Sequence, residues 1–256
     1  MLRIVNRKLI LGRHEGMFHV QRSFRRTVDI SSSPFETDGI VSFFVNVLCV
    51  LLMYGSAYLA NTGAMLFGKW IPDKTGMPVI VIDGGKNYSD GNRILGDGKS
   101  WNGLIGGGIV SGILFTLAHN LWNNNGTEVP FIDPIIYADS SDWFWIFEGE
   151  IGSSLAAFTM GFILGFSCMI GDMCGSFVKR RRGLKREGDE SSEAPLLDTV
   201  PFAIAIFIAA FVLFDGQVIT HPDLIEEIFF LLIVTPIIHR AFNIFGYKVG
   251  LKEVPY

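Results

Sequence analysis

Five stretches of this chain run for about twenty residues with almost no charge, and that pattern leaves few folds open. A helix crossing the hydrocarbon core of a bilayer needs about 20 apolar residues. Ile40–Ala60 has no charged residue, and its charge-free stretch continues to Phe67. Leu104–Trp122 and Ile151–Gly171 also lack Asp, Glu, Lys and Arg. Pro195–Phe214 is interrupted only by Asp198, and Ile228–Gly246 only by His239 and Arg240. Charged residues make up 18% of the chain, against about 25% in a soluble domain. The expected fold is all-α: a polytopic membrane protein with five transmembrane helices.

Charge alternates between the connecting segments. Gly68–Lys99 carries five Lys/Arg, Asp172–Thr199 six, and the tail from His239 three. Asn123–Glu150 and Asp215–Glu227 carry none, although they hold six and four acids. All fourteen Lys/Arg beyond the first run thus fall on one side. The positive-inside rule makes that side cytoplasmic and places the N-terminus outside. Met1–Asp29, with seven Lys/Arg and two acids, conflicts with that placement. It holds no long apolar run, so it is neither a span nor a secretory signal. A real basic arm and an upstream start ahead of Met17 both remain open. Residues 1–39 stay outside the functional reading, and residues 40–256 are expected to form one membrane-embedded domain.

Small residues recur at helical spacing. Gly108/Gly112, Gly161/Gly165 and Gly171/Gly175 are each four apart, which lets helix backbones approach closely in lipid. That is a packing signal, compatible with a channel, a transporter or an enzyme. Cys49, Cys168 and Cys174 lie in or beside apolar runs without metal-type spacing. They read as small core side chains.

The candidate chemistry lies on the basic side. The loop Ile82–Trp101 reads IDGGKNYSDGNRILGDGKSW, with Asp83, Asp90 and Asp97 each followed by Gly, and with Lys86, Arg93 and Lys99 between or after them. Asp-Gly pairs form turns, and glycine backbones expose N–H groups to phosphate. Ordinary polar turns would share that composition. It is no Walker A loop, because G-x-x-x-x-G-K-[ST] does not occur there. The second cluster is Gly171–Arg186. If the third span continues as a helix, Asp172, Ser176, Lys179 and Arg180 share one face. A carboxylate with cations one or two turns on suits a metal-bound triphosphate. Arg181 and Arg182 read as the inner flank of the span. The third cluster pairs Pro195, at home in the first turn of a helix, with Asp198 one turn inside a span. Ionisable groups there are costly and often functional. His239 and Arg240 read equally as interfacial side chains.

These residues carry a family resemblance. From about Asn61 to Tyr256 the chain is similar to the CDP-archaeol synthase family, and more distantly to the CDP-diglyceride synthases. DGNRILGDGKSWNG at Asp90–Gly103 resembles the family's first-loop motif, where Thr and Arg usually stand at the positions of Ser100 and Asn102. GDMCGSFVKRR at Gly171–Arg181 resembles its second motif, and HRAFNIFGYKVGLKEVPY its C-terminal signature. Ser176, Lys179, Arg180 and Lys185 also fit the S-x-x-K-R-x-x-x-x-K core of the wider signature. That signature continues with Asp, where Arg186 stands here, and its His-Gly-Gly run is missing.

The resemblance implies a reaction. CTP and 2,3-bis-O-(geranylgeranyl)-sn-glycerol 1-phosphate, an isoprenoid ether lipid phosphate, would give the CDP-activated lipid and diphosphate with Mg²⁺ at the cytoplasmic face of the cell membrane. Under that reading Asp172 and Asp198 hold the metal, and Lys99, Lys179 and Arg180 contact phosphates. Asp90, Arg93, Asp97 and Ser176 shape the nucleotide site. No nucleic-acid partner is expected. The D-G-x-x-A-R hallmark of CDP-alcohol phosphotransferases is absent. A transporter or channel would place ionisable groups near several midplanes, whereas here the charges gather at one face.

Overall fold

The first apolar run forms a helix, Ile40–Tyr58 (α1), and helical structure continues past it. A short helix Ala60–Met65 (α2), a π-helical turn Leu66–Trp70 and a final helix Ile71–Thr75 (α3) extend it. The whole span of 36 residues is roughly 54 Å long. The hydrocarbon core is only about 30 Å thick, so one end projects beyond it. Gly76 stops the helix in a left-handed conformation (φ 71°), its N–H donating to the Pro72 carbonyl. The computed structural model describes residues 39–122, 127–128, 130–135, 150–184, 195–214 and 224–248. The basic arm, Lys185 and the tail beyond Lys248 lie outside the described residues.

Four long helices follow: Trp101–Trp122 (α4), Glu150–Arg181 (α5), Pro195–Leu213 (α6) and Ile225–Lys248 (α7). The structure thus forms a helix at each of the five expected spans. Four of the described helical segments, Ile40–Thr75, Trp101–Trp122, Ser154–Arg181 and Leu196–Leu213, are long and apolar enough to cross a membrane. A two-residue hairpin, Thr127–Glu128 (β1) with Phe131–Ile132 (β2), is the only sheet among the described residues. Ser100 caps α4 by accepting the Gly103 N–H, 3.1 Å.

Glycine seams set the helix spacing. A Cβ at Gly161 would lie 2.4 Å from Phe115 Cβ, and one at Gly165 2.3 Å from Ser111 Cβ, so α4 and α5 touch backbone to side chain. Gly171 and Gly175 do the same for α5 and α6. Their Cβ atoms would meet the Pro201 carbonyl at 2.4 Å and the Leu197 carbonyl at 2.2 Å. The packing read from the spacing of small residues is therefore the observed packing. Cys49 and Cys168 are buried in the core as expected, whereas Cys174 is exposed.

Candidate active site

The loop between α3 and α4 is built around one carboxylate. Asp83 is buried and accepts hydrogen bonds from the backbone N–H groups of Gly85 (3.0 Å), Leu95 (3.0 Å) and Gly96 (2.9 Å). Arg93 adds an ion pair to it, Nη2 to Oδ1, at 2.7 Å. Burial works against the charge on Asp83. The bonds from Arg93 and the three backbone groups outweigh it and hold the carboxyl well below the usual aspartate range. Backbone bridges Val81↔Ser100 and Asn87↔Arg93 close the loop into two tiers. Gly96 takes φ 96°, a conformation that glycine adopts without strain.

The end of α5 clamps this loop. Arg181 donates Nη2 to the Arg93 carbonyl (2.6 Å), pairs Nε with Asp90 (3.2 Å) and lies over the rings of Tyr88 and Phe177 at 4.6 and 5.0 Å. The reading of Arg181 as a mere inner flank is corrected: it joins loop and helix. Arg182 is exposed, as a flank should be. Arg180 donates Nε to the Leu95 carbonyl (3.4 Å) and Nη1 to the Leu184 carbonyl (2.9 Å). Gly183, with φ 70°, turns the chain so that Leu184 comes back to the helix end.

Loop and helices enclose a cavity of about 210 Å³. Six of the expected site residues line it: Lys99, Asp172, Ser176, Lys179, Arg180 and Asp198. Helix α5 does continue past its apolar run, and the face shared by Asp172, Ser176, Lys179 and Arg180 is the cavity wall. Lys99 forms an ion pair with Asp172, and Lys179 one with Asp198. The first pair ties the catalytic loop to α5 across 73 positions, and the second ties α5 to the next helix, α6. The cavity therefore holds two carboxylates and three cations, with Tyr58, Met65, Cys168, Met169 and Phe202 forming apolar wall.

Three expected residues lie elsewhere. Asp90, Arg93 and Asp97 do not line the cavity, and their charges are partnered within the loop and by Arg181. Several lining residues were not singled out from sequence. Tyr58 and Asn61 come from the first helical span, where only the amide of Asn61 in a charge-free run gave a signal. His239, read equally as interfacial, also lines the cavity.

The sequence profile of the family described as CarS-like, CDP-archaeol synthase, matches residues 41–256. The chain belongs to the CDP-archaeol synthase family. The CDP-archaeol synthase of Methanosphaerula palustris is 35% identical over 200 residues, which is 78% of this chain and 98% of that protein. The CDP-archaeol synthase of Picrophilus torridus is 32% identical over 219 residues, covering 83% and 100%. A solved structure, described as an intramembrane enzyme for archaeal membrane lipids biosynthesis, shares the fold with TM-score 0.51 and 23% identity, over 76% of this chain and 92% of that one. This member of the CDP-archaeol synthase family is thus a multi-pass membrane enzyme and a CTP-dependent lipid cytidylyltransferase.

A nucleotidyltransferase of this family calls for a divalent metal. Among the described residues no group of three or more His, Cys, Asp and Glu is assembled. Two carboxylates facing one cavity still fit a small hard cation, which typically binds one or two carboxylates and takes its other ligands from substrate phosphates and water.

Proposed function

We propose that the enzyme transfers CMP from CTP to 2,3-bis-O-(geranylgeranyl)-sn-glycerol 1-phosphate at the cytoplasmic face of the membrane and releases diphosphate. The observation that carries this reading is a cavity charged at one wall and apolar at the other. At about 210 Å³ it is smaller than the roughly 300–1,000 Å³ of a pocket for a whole drug-sized ligand. It is sized for the reacting phosphates, with the isoprenoid chains left in the bilayer.

In the proposed reaction an oxygen of the lipid phosphate attacks the α-phosphorus of CTP. The new P–O bond forms as the bond to the bridging oxygen of the β-phosphate breaks, and diphosphate carries the electron pair away. A phosphate monoester needs no strong general base, so alignment and charge neutralisation are the tasks left to the protein. Lys99, Lys179 and Arg180 bind and orient phosphate oxygens. Ser176 offers a hydroxyl to the same group. Asp172 and Asp198 would hold Mg²⁺, which when bound neutralises phosphate charge. Asp90, Arg93 and Asp97 shape the loop that carries Lys99. The positive side of the chain, which bears all these groups, supports the cytoplasmic assignment.

CTP labelled at the α-phosphate, incubated with protein, Mg²⁺ and the ether lipid phosphate, tests the bond that breaks. The label is expected in the lipid product, and label from the γ-phosphate in diphosphate. Release of α-label as free CMP would overturn the transfer.

A further inference from the structure

A second cavity, of about 240 Å³, opens between α1 and α4. Its position follows from the direction of α4, which leaves the catalytic loop at Trp101. His119, in the last turn of that helix, lies roughly 27 Å further along its axis. Along α4 the two cavities are thus well separated, whereas on the first span they are adjacent: Tyr58 lines the first and Leu59 the second.

Two polar atoms in this cleft are buried without a hydrogen-bond partner among the described residues. His119 is 4% exposed. Its Nδ1 meets Asp133 Oδ2 at 2.5 Å, and Asp133 Oδ1 accepts the Ile135 N–H at 3.1 Å. Nδ1–H thus donates to the carboxylate, which fixes the ring. Among the described residues His119 Nε2, the other nitrogen, has no partner, and neither does Ser56 Oγ, on the α1 wall of the cleft. Both residues line the cavity, whose remaining wall is largely apolar, with Leu52, Met53, Leu114 and Phe115 among its residues. Leaving a buried polar atom unsatisfied costs about 1–3 kcal/mol.

We propose that this cleft is a second lipid site, which takes a single-chain amphiphile with a hydroxyl headgroup. A hydroxyl both donates and accepts, so it satisfies His119 Nε2 in either protonation state, and Ser56 Oγ on the α1 wall provides a second hydrogen bond. The alkyl chain occupies the apolar remainder. A water bridging the two polar atoms would meet its need for polar neighbours but would leave the apolar wall uncovered, which an alkyl chain covers.

The probe is a 1-O-dodecylglycerol carrying a diazirine on its chain, applied to the full-length protein in lipid nanodiscs. Photolabelling is expected to saturate and to map to residues 52–59 and 114–122. Unlabelled 1-O-dodecylglycerol should compete, and dodecane should not. Ser56→Leu, which fills the cleft and leaves the His119–Asp133 pair intact, should lower labelling about tenfold with cytidylyl transfer retained. His119→Phe should do the same; where it misfolds because Asp133 loses its partner, the Ser56→Leu result decides alone. Equal competition by dodecane, labelling without saturation, or labelling unchanged in Ser56→Leu overturns the proposal.

Discussion

Lys179 near the end of α5 forms an ion pair with Asp198 in the first turn of α6, and the two side chains are only 10% and 9% exposed. The pair ties together two of the groups that the proposed chemistry needs. Removing one partner of a buried pair leaves the other charge uncompensated. Lys179→Met is expected to lower turnover about 10²–10³-fold, the range for loss of one electrostatic stabiliser of a transition state. Asp198→Asn and Asp172→Asn are each expected to abolish transfer while the protein stays folded in membranes. Turnover of Asp198→Asn near wild type at limiting Mg²⁺ would remove that residue from the metal site.

The seam beside that pair makes a steric prediction. A Cβ on Gly175 would sit 2.2 Å from the Leu197 carbonyl, whereas one on Gly55 meets nothing within 4 Å. Gly175→Ala pushes α6 away from α5 and shifts Asp198 with it. Small displacements of positioning groups cost about 10²-fold in rate, and that loss is expected in kcat. Gly55→Ala should leave kcat unchanged, so the comparison separates spacing from helix propensity.

Asp83 gives a pH dependence. Its carboxyl titrates well below the usual range in the folded protein, against about 3.9 when unfolded. A depressed folded value contributes stability that is fully present above the unfolded value. It is lost as pH falls from there through the folded value. Asp83→Asn is expected to lower the melting temperature in detergent by a few degrees at neutral pH. The gap to wild type should close as pH drops below about 4. A gap independent of pH between 3 and 7 would show that the charge on Asp83 is not what holds the loop.

The spans were legible because membrane helices advertise themselves by the absence of charge, and the cavity wall on α5 because its residues recur at helical spacing. The seam at Gly171 and Gly175 was legible for the same reason. The loop was not. Asp83, Asp90 and Asp97 are each followed by Gly, and nothing local marks Asp83 as the buried one. Only the Gly85 N–H that it accepts is local; its role arises from Arg93 and the Leu95 and Gly96 N–H groups, ten to thirteen residues on. Arg181 was misread because its partners Asp90 and Tyr88 and the Arg93 carbonyl come from the loop, far off in sequence. The pairing of Lys99 with Asp172 likewise bridges 73 positions, a separation at which sequence offers no register.

Sidedness can be checked without any assay of activity. Single cysteines at positions 86 and 93, in the basic loop, should resist an impermeant thiol reagent added outside intact cells. They should react once the membrane is opened, because Lys/Arg-rich loops stay on the cytoplasmic side. A cysteine at positions 123–126, at the start of the segment Asn123–Glu150 that carries six acids and no Lys/Arg, should react from outside. Strong external labelling at position 93 would invert the topology.

The central claim is that one cavity holds a triphosphate beside a lipid phosphate and joins them. The most direct measurement is CTP consumption by purified protein with Mg²⁺, in the presence and absence of lipid. CTP is expected to disappear only when a lipid phosphate monoester is supplied, with one diphosphate released for each CDP-lipid formed and a geranylgeranyl ether lipid preferred over diacyl phosphatidic acid. Equal rates with the two lipids would contradict the chain preference alone. Hydrolysis of CTP without any lipid would contradict the transfer mechanism itself.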